Sequence, residues 1–150
     1  ALTMARHFLG APVEGKMTPT LWVHLAPLSV IPLSMLALLK TTGDASLLRY
    51  GSLVAAAFLG AALWWLVLAV SMTIHNRRQG KLPFALSWWA FVFPIGACSV
   101  LAYRVSELLA LEVLPLVASG LTLLALFVWS ATALGTVRGI RTGAIFAPAH

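Results

Sequence analysis

Charge is what this sequence has least of: 9% of its 150 residues are Asp, Glu, Lys or Arg, against roughly 25% in an ordinary soluble domain. The four acids, Glu14, Asp44, Glu107 and Glu112, are scattered and form no carboxylate pair. No HExxH, glycine-rich phosphate loop or Ser-His-Asp grouping is present, so no enzyme is expected. The single cysteine, Cys98, excludes an intramolecular disulfide and reads as a small packing residue. The net charge of +6 raises the question of nucleic acid, yet no stretch remains for a soluble basic face, so no nucleic-acid partner is expected.

What is present is long apolar sequence, 61% of the chain by residue type. Met17 to Leu39, Tyr50 to Asn76, Leu82 to Tyr103 and Val113 to Val137 contain no Asp, Glu, Lys or Arg. Each exceeds the roughly 20 residues that a helix needs to cross a bilayer. The expectation is an all-α integral membrane protein, one transmembrane domain over residues 1–150. Its four spans fall at about 18–39, 47–76, 83–104 and 113–137, arranged as two hairpins. Thr18 and Pro19 suit the N-cap and first position of the first span. The chain opens on Ala1 with no signal-peptide pattern, and Ala1 to Gly10 reads as the tail of a preceding helix, so a longer parent protein is expected.

Cut at its charges, the chain carries Arg6, Lys16, Arg77, Arg78, Lys81, Arg138 and Arg141 on one side and Lys40, Arg49 and Arg104 on the other. The positive-inside bias then puts both termini in the cytoplasm, with a bacterial inner membrane as the expected setting.

Proline separates the spans into two kinds. The first holds Pro27 and Pro32 and the third Pro94, with Gly96 two residues on, whereas the second and fourth have no interior proline. An interior proline removes a backbone donor and crowds the carbonyl four residues back, here of Val23, Leu28 and Ala90. In lipid such carbonyls need protein or water nearby, so spans one and three are expected inside or beside a pore and spans two and four in an outer layer. Small-residue spacings, Ala56 with Gly60 and Ala131 with Gly135, would permit close helix contact on the straight spans. Trp22, Trp88, Trp89 and Tyr103 read as interfacial aromatics, and Trp64, Trp65 and Trp129 as helix packing.

Two segments carry a family resemblance. TPTLWVHLAPLSV, Thr18 to Val30, and FALSWWAFVFPIGA, Phe84 to Ala97, resemble two helices of the tellurite-resistance and dicarboxylate transporter family, which includes plant slow anion channels. The likeness covers about Thr18 to Arg138, and these four spans are similar to helices 7–10 of a ten-helix, five-hairpin pore. It implies an anion channel or transporter for chloride, nitrate, sulfite, tellurite or four-carbon dicarboxylates, in subunits that associate as homotrimers in the membrane.

The resemblance further implies that Phe93 plugs the pore, since a phenylalanine at the matching position does so in the family. A ring is bulky, dewets a constriction and can swing by a rotamer change. Trp89, Phe93, Ala97 and Val100 share one helical stripe, with Phe91 facing the other way. Pro94, Trp89, Gly96, Ala97, Ser99, Pro27, Pro32 and His24 are the further candidates for lining or bending the pore. With no arginine in the charge-free runs, the pore would draw anions through basic mouths, helix dipoles and the hydroxyls of Ser29, Ser34 and Ser99. No cofactor is expected: His24 lies about a helical turn inside its span and His75 at an interface, which suits paired haem ligation poorly. The rival reading is a non-catalytic scaffold or regulatory subunit.

Overall fold

The computed structural model describes residues 22–79 and 88–142. Thr18, Pro19, the basic residues Arg6, Lys16 and Lys81, and the opening four residues of the FALSWW segment lie outside them. The described residues form four helices: α1 (Leu25–Thr41), α2 (Ala45–Arg78), α3 (Trp89–Leu109) and α4 (Leu114–Arg141). Among these residues there is no strand. The protein is an all-α integral membrane protein. α2, α3 and α4 are each long and apolar enough to cross a membrane, while α1, with 17 residues, is shorter. At 1.5 Å per residue α1 extends about 26 Å, close to the lower limit for a span.

Local chemistry sets the turns that fold these helices into two hairpins. At the end of α1 the hydroxyls of Thr41 and Thr42 donate to the carbonyls of Leu38 and Leu39, both at 2.7 Å, occupying acceptors that the helix end leaves open. Gly43 then takes φ +70°, a conformation natural to glycine. Asp44 caps α2, its Oδ1 accepting from the backbone N–H groups of Ser46 at 2.8 Å and Leu47 at 3.2 Å. The second hairpin reverses at Ala110, which is left-handed at φ 51°. Pro115 then fits in the opening turn of α4, where no backbone donor is required. Basic residues close α2 and α4 at the opposite end, Arg77 and Arg78 on one and Arg138 and Arg141 on the other, where cations complement the helix dipole.

α3 is the hub, packed against all three other helices. Ile95, Cys98, Leu101, Ala102 and Val105 are fully buried along it, meeting Leu25 from α1 and Ala55 and Ala62 from α2. Burial reaches 39% along the most apolar stretch of α3 but only 11% along that of α4, whose buried residues are Ala118, Leu121 and Thr132.

Several expectations change. Pro27 is not interior to a helix: His24 is a turn residue between helical Trp22 and Val23 and the start of α1, so Pro27 falls in a first turn. The donor it lacks is one of those that a helix start leaves unpaired anyway, and Pro32 is the interior proline. α2 is more than an outer partner of α1, because Ala55, Ala62 and Ala69 bring it close enough to pack on α3 as well. Among the described residues nothing lies within 4 Å of where a Cβ would stand on Gly60, so Gly60 makes no close helix contact with them. Trp22 is 4% exposed and therefore a core residue, its indole Nε1 donating to Thr73 Oγ1 at 3.0 Å and its ring meeting Phe91 edge-on at 5.2 Å. Trp64 and Trp129, by contrast, are exposed, and of the tryptophans expected to pack only Trp65 is buried.

Candidate functional site

α3 presents two faces of opposite character. Phe91, Ile95, Cys98 and Ala102 turn inward, whereas Trp89, Phe93 and Val100 turn outward along a stripe of helical spacing. The two phenylalanines differ sharply: Phe91 is 4% exposed, wedged between Trp22 and Trp88, and Phe93 is 64% exposed. Two residues on a helix are about 200° apart, so one ring anchors the helix and the other is free of the core.

Phe93 opens onto a groove of about 700 Å³ between α3 and α4. From α3 the groove takes Phe93, Gly96, Ala97, Ser99 and Val100; Thr122, Leu126 and Trp129 form the α4 wall. None of its lining residues is charged. Among the described residues nothing lies within 4 Å of where a Cβ would stand on Gly96, so its missing side chain widens the groove.

A row of polar contacts ties the two walls together. Ser99, 4% exposed, has its Oγ 2.9 Å from the Ala118 carbonyl and 2.7 Å from Thr122 Oγ1, and Thr122 in turn donates to the same carbonyl at 2.9 Å. Toward one end Trp89 Nε1 donates to Thr136 Oγ1 at 3.3 Å; toward the other, Tyr103 and Ser119 share a hydrogen bond of 2.9 Å. Each hydroxyl so engaged is satisfied inside the protein, which an apolar surround requires. Ser99 thus reaches the groove as a tie between its walls. Ser29 is likewise committed, donating to the Leu25 carbonyl at 3.1 Å and lying beside Cys98, while Ser34 is exposed on α1.

Of the residues singled out in the sequence, Phe93, Gly96, Ala97 and Ser99 line one groove, and Trp89 and Pro94 do not, though they share the helix. α3 continues as a single helix through Pro94, whose ring is buried. His24, at the N-cap of α1, and Pro27 and Pro32 within α1 take no part in the groove. His24 is exposed among the described residues, its ring 5.5 Å from that of Trp65. His75 hydrogen-bonds the Gln79 side chain at 2.7 Å. The α4 wall escaped the sequence reading. Thr122, Leu126 and Trp129 are spaced at four and three residues, a helical stripe, but one that an apolar span offers in every direction.

The sequence profile described as voltage-dependent anion channel matches residues 1–137. Two uncharacterized transporters of Methanocaldococcus jannaschii are similar, 29% and 28% identical over 146 residues. Each alignment takes in 97% of this chain, so the chain spans 42% and 43% of the length of these curated relatives. No solved structure matches the chain significantly.

Proposed function

The chain belongs to the voltage-dependent anion channel family, and from that membership we propose that it forms part of an anion-conducting pore whose gate is Phe93. The observation that carries the proposal is the exposure of Phe93, 64%, beside Gly96 and Ala97 in an uncharged groove. An unburied ring on a helix anchored by its other face can change rotamer without disturbing the core. An apolar ring at a constriction excludes water and hence hydrated ions, and the small residues next to it leave room once it moves. The groove carries no fixed cation, so an anion would be attracted by the basic helix ends and held only weakly in transit. Weak holding favours flux, because tight binding slows release.

This reading assigns the protein to transport rather than catalysis. Chloride, nitrate, sulfite, tellurite and four-carbon dicarboxylates are the candidate cargoes, in a homotrimer with cytoplasmic termini. The remaining pore wall would come from the part of the longer relatives that this chain does not span. The test is anion flux through the full-length protein in liposomes, wild type against Phe93→Ala. A large rise supports the gate. No rise in a folded variant overturns it, and no anion flux in either protein favours a scaffold.

A further inference from the structure

A second feature lies away from the groove, at the end of the bundle where α1 and α3 finish and α2 and α4 begin. Among the described residues the basic side chains at this end are Lys40, Arg49 and Arg104, and each lines one of two adjoining cavities. The first, about 220 Å³, has Lys40 and Arg104 at its rim; the second, about 400 Å³, has Arg49. Leu48 and Leu108 are shared by both.

The first cavity is amphipathic along its depth. Leu33 and Leu36 continue its wall on the face of α1 that carries Lys40. The seven-residue step from Leu33 to Lys40 rises about 10 Å, so charge at the rim gives way to leucine over that distance. Lys40 and Arg49 make no ion pair among the described residues. Arg104 bonds Glu107 Oε2 through one of its nitrogens at 3.0 Å, which leaves other donors of its fork open. Two cations less one carboxylate give the rim a single net positive charge, matched to a monoanion.

We propose that this cavity binds the phosphodiester headgroup of an anionic phospholipid, with Lys40 and Arg104 on the phosphate and the acyl chain along Leu33 and Leu36. The apolar depth favours a lipid over free phosphate. A hydrated inorganic ion gains nothing from a leucine wall, whereas an acyl chain buries against it. The helix ends lie where headgroups lie, and the Lys40 ammonium and Arg104 guanidinium can each donate charge-assisted hydrogen bonds to a phosphate there.

The test is thermal melting of the purified full-length protein in detergent during titration with dioctanoyl phosphatidylglycerol. Dioctanoyl phosphatidylcholine and sodium phosphate at matched ionic strength are the comparison probes. Phosphatidylglycerol should raise the melting temperature more than either. The double variant Lys40→Gln/Arg104→Gln should weaken its apparent affinity about 25-fold, about fivefold for each cation. Both side chains are exposed, so the variant should melt near the wild type without lipid. Glu107→Gln should bind more tightly, a direction that mere loss of structure would not give. Equal stabilisation by phosphatidylcholine, or a response to phosphatidylglycerol that survives the double variant, overturns the proposal. Phosphate alone matching phosphatidylglycerol overturns the lipid assignment. None of these readouts needs ion flux, so they stand apart from the outcome at Phe93.

Discussion

Phe91 and Phe93 provide a controlled comparison, the same side chain two positions apart on one helix with opposite surroundings. Phe91 is 4% exposed and packs against Trp22 and Trp88, so Phe91→Ala opens a cavity at the junction of α3 with the first hairpin. Loss of a buried phenylalanine costs about 3–5 kcal/mol. Phe93 is 64% exposed and contributes little to packing. A substitution at such a position changes stability by about 0.5 kcal/mol or less. Conduction should respond in the reverse order. If the Phe93 ring obstructs the path, removing it lowers the barrier to ions, and about 1.4 kcal/mol is enough for a tenfold rise. The assay is anion flux in liposomes reconstituted with equal amounts of full-length protein, with thermal melting of the same preparations. Phe93→Ala should conduct at least tenfold faster and melt with the wild type; Phe91→Ala should melt early and conduct no faster. A Phe93→Ala protein that keeps its fold and its wild-type flux would refute the reasoning.

Other substitutions probe the same surfaces. Gly96→Leu meets no described atom at its Cβ and should leave the melting temperature nearly unchanged, yet its side chain enters the groove, so flux should fall several-fold. Ser99→Ala removes the α3 partner of Ala118 and Thr122 while Thr122 keeps its bond to the Ala118 carbonyl. With no orphan created, melting should report a loss of about 0.6 kcal/mol, the average for hydrogen bonds between membrane helices. Among the described residues, Thr132 Oγ1 is buried with no hydrogen-bond partner. Thr132→Val keeps the shape and discards the unpaired hydroxyl, so the melting temperature should rise, by about 1 kcal/mol of stability. Cys98 is fully buried and should resist a small thiol reagent in the folded protein, whereas Phe93→Cys should react quickly; equal rates at the two sites would count against an accessible Phe93.

Tryptophan shows where sequence stops being informative. Trp22 stands near the start of an apolar run, as interfacial tryptophans do, yet Thr73 and Phe91 converge on it and bury it. Trp129 is in the middle of a run, where packing is the natural reading, yet it faces outward and walls the groove. Position along a span reports depth in the membrane. It says nothing of azimuth, and azimuth decides which neighbours a side chain meets.

Phe93 and Phe91 were separable in advance because helical geometry alone sets them about 200° apart. Which of them turned away from the core depended on where α1 and α2 pack, and that is a tertiary fact.

The sequence by itself determined the membrane and the helical class of the chain. Runs without charge have one stable arrangement in lipid, with backbone groups bonded inside each helix, and Asp44, Gly43 and Pro115 mark the turns by chemistry that acts over a few residues. The family was also legible, through the order of aromatic and proline residues from Phe84 to Ala97. Only the tertiary structure decided that α3 is the hub, that α2 reaches it, and that Thr122, Leu126 and Trp129 complete a groove with Phe93. Only it gathered Lys40, Arg49 and Arg104 around adjoining cavities. The reason is physical: an apolar helix has no polar face to betray its orientation, so its partners are chosen by the fit of side chains far apart in the chain, and spacing along one helix cannot encode that fit.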